Sequence, residues 1–204
     1  MTPTRLDFFF SFRSPYSYLA APRAFALPTR FDVAVRFRGV IPMAMRGQSV
    51  PRAKGLHTLR DVKREAVRLG MPFGRIHDPI GAGALRCLLV AQHAVDVGRE
   101  REFVLAAGRG IWAEAVDVAA DKGLRAICER AGLSWGDCAT ALEDPAVRAR
   151  VDADTAALEE LGHWGVPVLV FEHELFWGQD RIEDLEAALR EAGLERSPTA
   201  AQAT

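Results

Sequence analysis

The chain has 204 residues, about half of them hydrophobic, enough for one sizeable core or one core carrying an inserted subdomain. Twenty-six basic against 27 acidic residues leave a formal charge of −1, and no basic run stands out along the sequence, so no nucleic-acid partner is expected. No apolar stretch reaches the roughly 18–20 residues of a bilayer span, and "MTPTRLDFFF" lacks the parts of a secretory signal, so a cytoplasmic protein without a membrane partner is expected.

Residues 5–12, with "LDFFFSF", read as a short buried strand. Ser14-Pro15 then opens a helix, a serine at the N-cap and a proline at the first helical position, continued by Tyr18, Leu19, Phe25 and Leu27 up to Pro28. "FDVAVRFRGV" alternates Val33, Val35 and Phe37 with Asp32, Ala34, Arg36 and Arg38, a second strand with one buried face. Two strands around one helix make a βαβ unit with parallel pairing.

"IPMAMRGQSVP" is a loop, and residues from about 52 to 161 carry almost only helical signals. "AKGLHTLRDVKREAVRLG" places Leu56, Leu59, Val62, Ala66, Val67 and Leu69 on one face before a Gly70 stop. "MPFGRIHDPIGAG" is the longest irregular connection. "ALRCLLVAQHAVDVG" and "REFVLAAGRGIWAEA" are amphipathic helices, followed by the shorter "LRAICERAG" and "SWGDCATALED", where Ser134 and Asp137 are spaced as a capping box. "DPAVRARVDADTAALEELG" closes the block. Period two returns in "VPVLVFEHELFW", a hairpin turning near Glu172-His173. "QDRIEDLEAALREAG" is a final helix with Asp180 as N-cap and Glu183 three residues on, and the tail "LERSPTAAQAT" reads as disordered.

The order βαβ, helical block, ββα is an α/β thioredoxin-like layout with a large all-helical insertion. Residues 1–51 and 162–204 are expected to form a discontinuous thioredoxin-like domain and residues 52–161 the insertion subdomain. Cys87, Cys128 and Cys138 form no Cys-x-x-Cys and are expected as reduced residues in or near helical cores. His57, His77, His93, His163 and His173 are scattered, so no metal site is expected. In this layout the strand-to-helix junction holds a redox Cys-x-x-Cys, which here reads Ser14-Pro15-Tyr16-Ser17 and excludes dithiol chemistry at that place. The second landmark is Gly165-Val166-Pro167 at a strand entry, where a residue without an N–H is tolerated. In thioredoxin-like folds the matching Xaa-Pro bond is cis; the sequence leaves the isomer open.

"DFFFSFRSPYSYLA" together with "GVPVLVFEHELFWGQDRIEDLEAAL" resembles the 2-hydroxychromene-2-carboxylate isomerases, relatives of the kappa-class glutathione transferases. "RAKGLHTLRDVKREAVRLGMP" and "GIWAEAVDVAADKGL" agree, so the resemblance spans roughly residues 5 to 190. It implies a glutathione cofactor, a small aromatic or unsaturated carboxylate substrate and a homodimer. It implies further that Ser14 donates a hydrogen bond to the glutathione sulfur, beside Pro15 and Tyr16, in addition to capping its helix. The resemblance gives Val166, before Pro167, a backbone contact to the cysteinyl part, and gives Gln179 and Asp180 the γ-glutamyl end. Lys54 is placed near the glycyl carboxylate, and Gln48 stands where the family has a contacting asparagine. His57 replaces a tyrosine of many relatives, and surface packing is its plainer role. Trp112 and Trp177 read as packing residues or pocket walls, and Arg86 and Arg181 as partners of a carboxylate or of a structural acid.

A free thiol near pKa 8.5 is only a few per cent ionised at neutral pH; a hydroxyl donor and a helix N-terminus, each contributing about 0.5–2 kcal/mol, favour the anion. The implied activity is a glutathione-dependent cis–trans isomerisation. A kappa-like transferase or peroxidase and a non-catalytic thioredoxin-like binding protein are the alternatives.

Overall fold

The protein is described by a computed structural model, which covers residues 3–48 and 51–197. Strand β1 (Thr4–Phe10), helix α1 (Pro15–Ala24) and strand β2 (Val33–Gly39) form the expected βαβ unit. Six helices follow: α2 (Arg52–Arg68), α3 (Ala82–Asp96), α4 (Glu100–Ala113), α5 (Asp121–Arg130), α6 (Trp135–Glu143) and α7 (Pro145–Glu160). Strands β3 (Val168–Phe171) and β4 (Glu174–Trp177) and helix α8 (Ile182–Glu191) complete the chain. The sheet order is β2-β1-β3-β4, with β1 parallel to β2 and antiparallel to β3. The β3–β4 hairpin turns at Glu172, whose φ of 54° lies in the left-handed region.

Alternation along β1 divides the core. Leu6, Phe8 and Phe10 enter a large cluster shared with α1, α3, α4 and α8, where Phe8–Phe10 and Phe10–Phe12 pack edge to face. Phe9 points to the other face and packs with Val40, Leu158 and Val168 under α7. The helices inserted between β2 and β3 thus cover both faces of the sheet.

A buried polar network fixes them there. Arg38 Nε lies 2.5 Å from Asp154 Oδ1, and Arg38 Nη1 donates to Asp7 Oδ2 at 3.1 Å. Asp154 Oδ2 also accepts from Gln92 Nε2 at 2.7 Å and from the Gly39 N–H at 3.2 Å. The guanidinium sits 5.1 Å above the Phe9 ring. Strands β1 and β2 and helices α3 and α7 meet at this one arginine.

The structure departs from the sequence reading in five places. Helix α1 stops at Ala24, and Leu27–Thr29 make a separate 3-10 turn. Only Val62 and Ala66 of the expected apolar face of α2 are buried, while Leu56, Leu59 and Val67 are exposed, Val67 at 76%. The outward side of α2 instead gathers Arg60, Lys63, Arg64 and Arg68 around Val67, a basic surface that the linear sequence conceals because acidic Asp61 and Glu65 alternate with it and point inward. Ser134 stands at the N-cap of α6 without a side-chain cap bond, and α8 starts one residue later than expected, with Arg181 and not Asp180 at its N-cap, after a 3-10 turn at Gln179–Arg181. Finally, part of the tail is ordered: Glu195 bridges Phe31, and Arg196 donates its N–H to the Arg30 carbonyl at 2.8 Å. Residues 198–204 lie outside the described part.

Among the described residues no helix is long and apolar enough to cross a membrane. All three cysteines are free and buried, and burial pushes the Cys87 thiol well above its ordinary pKa, so it stays protonated.

Candidate active site

The site forms where three backbone ends converge: the C-terminus of β1, the N-terminus of α1 and the entry to β3. Ser14 is the N-cap of α1, with extended backbone, and its Oγ accepts the Ser17 N–H at 3.1 Å. The Ser14 hydroxyl in turn donates to the Val166 carbonyl at 3.1 Å. The Val166-Pro167 bond is cis. Ser14 and Val166, 152 residues apart in sequence, are therefore in direct contact.

Two donors at this junction stand open. Pro15 has no N–H, and among the described residues neither the Tyr16 N–H at the second helical position nor the Val166 N–H meets an acceptor. A helix N-terminus with an open N–H favours a negative atom, and an open peptide edge at Val166 suits an extended ligand. The donor set therefore fits a thiol-containing peptide such as glutathione.

The side chain of Tyr16 points away from this edge. Its hydroxyl donates to Asp61 Oδ2 on α2 at 2.7 Å. Burial, reinforced by Asp61 and the nearby Glu65 and Asp180 carboxylates, raises the Tyr16 pKa far above its ordinary value, so the phenol remains a donor. Tyr18, two residues on, donates to the Pro72 carbonyl at 2.6 Å; burial pushes its pKa up to about 12.

The Gln179-Asp180 turn closes a third side. Gly178 donates its N–H to the Pro167 carbonyl at 3.0 Å, which ties the turn directly to the Val166-Pro167 edge. Gly178 has φ 119°, a left-handed conformation that favours glycine there. Asp180 is exposed and pairs with Arg181 Nη2 at 3.3 Å, which takes its carboxylate away from capping α8. Gln179 is only 6% exposed. Its carbonyl and its Oε1 both accept from Arg23 Nη2, and its Nε2 donates to Glu65 Oε2 at 3.2 Å.

The structure thus brings Ser14, Pro15, Tyr16, Val166, Pro167, Gln179 and Asp180 into one neighbourhood. Among the described residues no hydrogen bond or ion pair joins Gln48 or Lys54 to them. Gln48 lies on the loop after Met43–Arg46 and donates its N–H to the Met43 carbonyl at 3.1 Å. That loop is pinned to the rim by Arg46, which donates to the Trp164 carbonyl at 2.7 Å. Lys54 and His57 are exposed on α2. Arg86 pairs with Asp121, and Arg181 with Asp180 and Asp184, so both arginines have acidic partners of this chain. Trp112 is buried and stacks on Phe73.

Two features escaped sequence reasoning. Arg23, the Gln179 partner, is the only charged residue between Arg13 and Arg30, and that isolation in an apolar helix was the available signal. The second is an aromatic shelf beside Val166. His163, Trp164 and Trp177 pack together with centroids 4.9–5.6 Å apart, and Trp164 and Trp177 are 45% and 50% exposed. Trp177 lies over Gly165, where an added Cβ would stand 3.1 Å from its Nε1.

Comparison with known proteins places the chain in a family. The chain is 27% identical over 199 residues to a 2-hydroxychromene-2-carboxylate isomerase of Sphingobium xenophagum, covering 93% of this chain and 99% of the relative. A solved structure of 2-hydroxychromene-2-carboxylate isomerase superposes with a TM-score of 0.79 at 24% identity, over 93% of this chain and 96% of that one. The cytosolic disulfide reductase DsbM from Pseudomonas aeruginosa, solved with GSH, superposes with a TM-score of 0.68 at 20% identity, over 91% and 99%. Residues 5–190 match the DSBA-like thioredoxin domain, and the chain belongs to that family.

Proposed function

We propose that this protein is a glutathione-dependent isomerase of the 2-hydroxychromene-2-carboxylate type, interconverting that compound with trans-o-hydroxybenzylidenepyruvate. The observation that carries the reading is the contact of Ser14, in the place of a redox cysteine, with Val166 beside two open N–H donors. The protein keeps the peptide-binding edge of its fold but has no thiol there, so the sulfur comes from the ligand. The similarity to a named isomerase over nearly the whole chain supports the choice of reaction.

Bound glutathione supplies a nucleophilic thiol whose reversible addition to a conjugated double bond leaves a single bond free to rotate. Ser14 holds that sulfur by its hydroxyl, and the α1 N-terminus, through the Tyr16 N–H, favours its anionic form. Val166 orients the cysteinyl backbone by its N–H. Asp180 is the residue we assign to the γ-glutamyl ammonium and Lys54 the one we assign to the glycyl carboxylate, with Gln48 a further ligand contact.

The test is turnover of the chromene carboxylate with substoichiometric glutathione, followed by ultraviolet absorbance and by thiol titration. Many turnovers with the thiol titre unchanged support the isomerase. Thiol loss in step with product marks a transferase, and no binding of glutathione by calorimetry refutes both.

A further inference from the structure

The turn 178–181 carries Asp180 on its exposed side and Gln179 on its buried side. Gln179 sits between a cation and an anion drawn from different parts of the chain. Arg23, half-way into the core on α1, grips both its backbone carbonyl and its Oε1. Glu65 on α2 accepts from its Nε2 at 3.2 Å. Glu65 is itself held by Arg68, and Asp61, one turn earlier on the same face, accepts from Tyr16 at 2.7 Å. Helix α2 therefore reaches both the α1 N-terminus and the Gln179 turn through two carboxylates spaced i, i+4.

We propose that Arg23 and Glu65 are positioning residues that act through Gln179 to fix the Asp180 turn, and so set the affinity for the γ-glutamyl end of glutathione. The proposal rests on the glutathione reading above. The Gln179 amide is spent on this clamp and is not displayed to a ligand. Its two functions, acceptor and donor, are each matched by a partner of the complementary kind, which fixes the amide orientation and with it the backbone of the turn. The Gly178 N–H bond to Pro167 then sets the distance from the turn to the sulfur edge. Without Glu65 the buried Gln179 Nε2 lacks an acceptor, and the turn must move to find one.

The experiment is calorimetric titration of wild type, Glu65→Ala, Gln179→Leu, the double variant and Arg23→Lys. Each is titrated with glutathione and with cysteinylglycine, which lacks the γ-glutamyl group. Glu65→Ala is expected to bind glutathione about tenfold more weakly and cysteinylglycine within about twofold of wild type. In the Gln179→Leu background, Glu65→Ala is expected to add nothing. Glu65→Gln, which keeps an acceptor oxygen, should recover most of the loss. Arg23→Lys, whose shorter side chain withdraws the donor that Nη2 places on both Gln179 oxygens, gives a second route to the same glutathione-selective loss if Glu65→Ala does not fold.

Equal weakening toward both ligands, additive effects in the double variant, or unchanged glutathione affinity in Glu65→Ala overturns the clamp. Wild type that fails to bind glutathione refutes the underlying reading and the clamp together. Wild type that binds while the variants behave as wild type refutes the clamp alone.

Discussion

Two polar clusters, one beneath α7 and one at the C-terminal end of β1, differ in how completely they are matched. Around Arg38, two carboxylates, an amide and a backbone N–H close on one another in the interior. Around Ser14, one hydroxyl bridges two backbone groups, while the Tyr16 and Val166 N–H groups stand open. A matched cluster holds elements together, because removing any member leaves a buried charge behind. An open one is able to take a ligand, because its donors gain a bond when the ligand arrives. The same elementary groups thus serve stability in one place and leave donors open to a ligand in the other.

Breaking the matched cluster should give the largest effect. Asp154→Ala leaves the buried Arg38 with Asp7 alone, and unfolding in urea is expected to show a loss of about 3–5 kcal/mol. An unchanged midpoint would mean that the network is incidental to the fold.

Ser14→Ala should invert the pattern. Turnover is expected to fall about 100-fold, as for loss of one preorganised donor to a developing anion. Stability should fall by only about 1 kcal/mol, the cost of a lost N-cap. If stability suffers more than rate, Ser14 belongs with the structural cluster and the comparison fails.

A smaller effect sharpens the boundary between the two. Gly165→Ala places a methyl 3.1 Å from the Trp177 indole nitrogen, so Trp177 or the Val166 edge must yield. Glutathione affinity is expected to drop about threefold, below 1 kcal/mol, while the urea midpoint barely moves; calorimetry beside denaturation separates them.

The smallest effect is acid sensitivity of the helical layer. The Arg150 guanidinium holds the Asp96 carboxyl below its ordinary range, and Arg130 and Arg109 do the same for Glu114. A depressed carboxylate contributes stability that is present above its unfolded pKa of about 4 and lost as pH falls through the lower folded value. Melting temperatures should therefore hold from pH 7 to about 5 and decline below 4. Asp96→Asn should flatten that decline slightly.

The elements were legible where local pattern and local packing coincide. The apolar run of β1, the alternation of β2 and the Ser14-Pro15 start all appear in the structure as read, because each is fixed by neighbours a few residues away. Helix α2 was misjudged for the opposite reason. Its partner surface is built by α1 and the Gln179 turn, so a narrow Val62 and Ala66 stripe plus two carboxylates suffices, and Leu56 and Leu59 are left outside. Asp180 had the spacing of a cap and lies in a 3-10 turn beside Arg181 instead. The Ser14–Val166 contact follows from the layout, whereas the Arg23–Gln179–Glu65 arrangement joins three distant segments that no spacing rule connects.

One bond has a consequence for selectivity. The Ser14 proton rests on the Val166 carbonyl, a neutral acceptor, so any incoming sulfur must outbid that carbonyl to claim it. A neutral thiol is a poor acceptor and loses the contest, while a hydrogen bond to an anion is about twice as strong and wins it. On the glutathione reading proposed above, the resting contact would work as a threshold on charge, the hydroxyl turning only toward a sulfur that has already given up its proton.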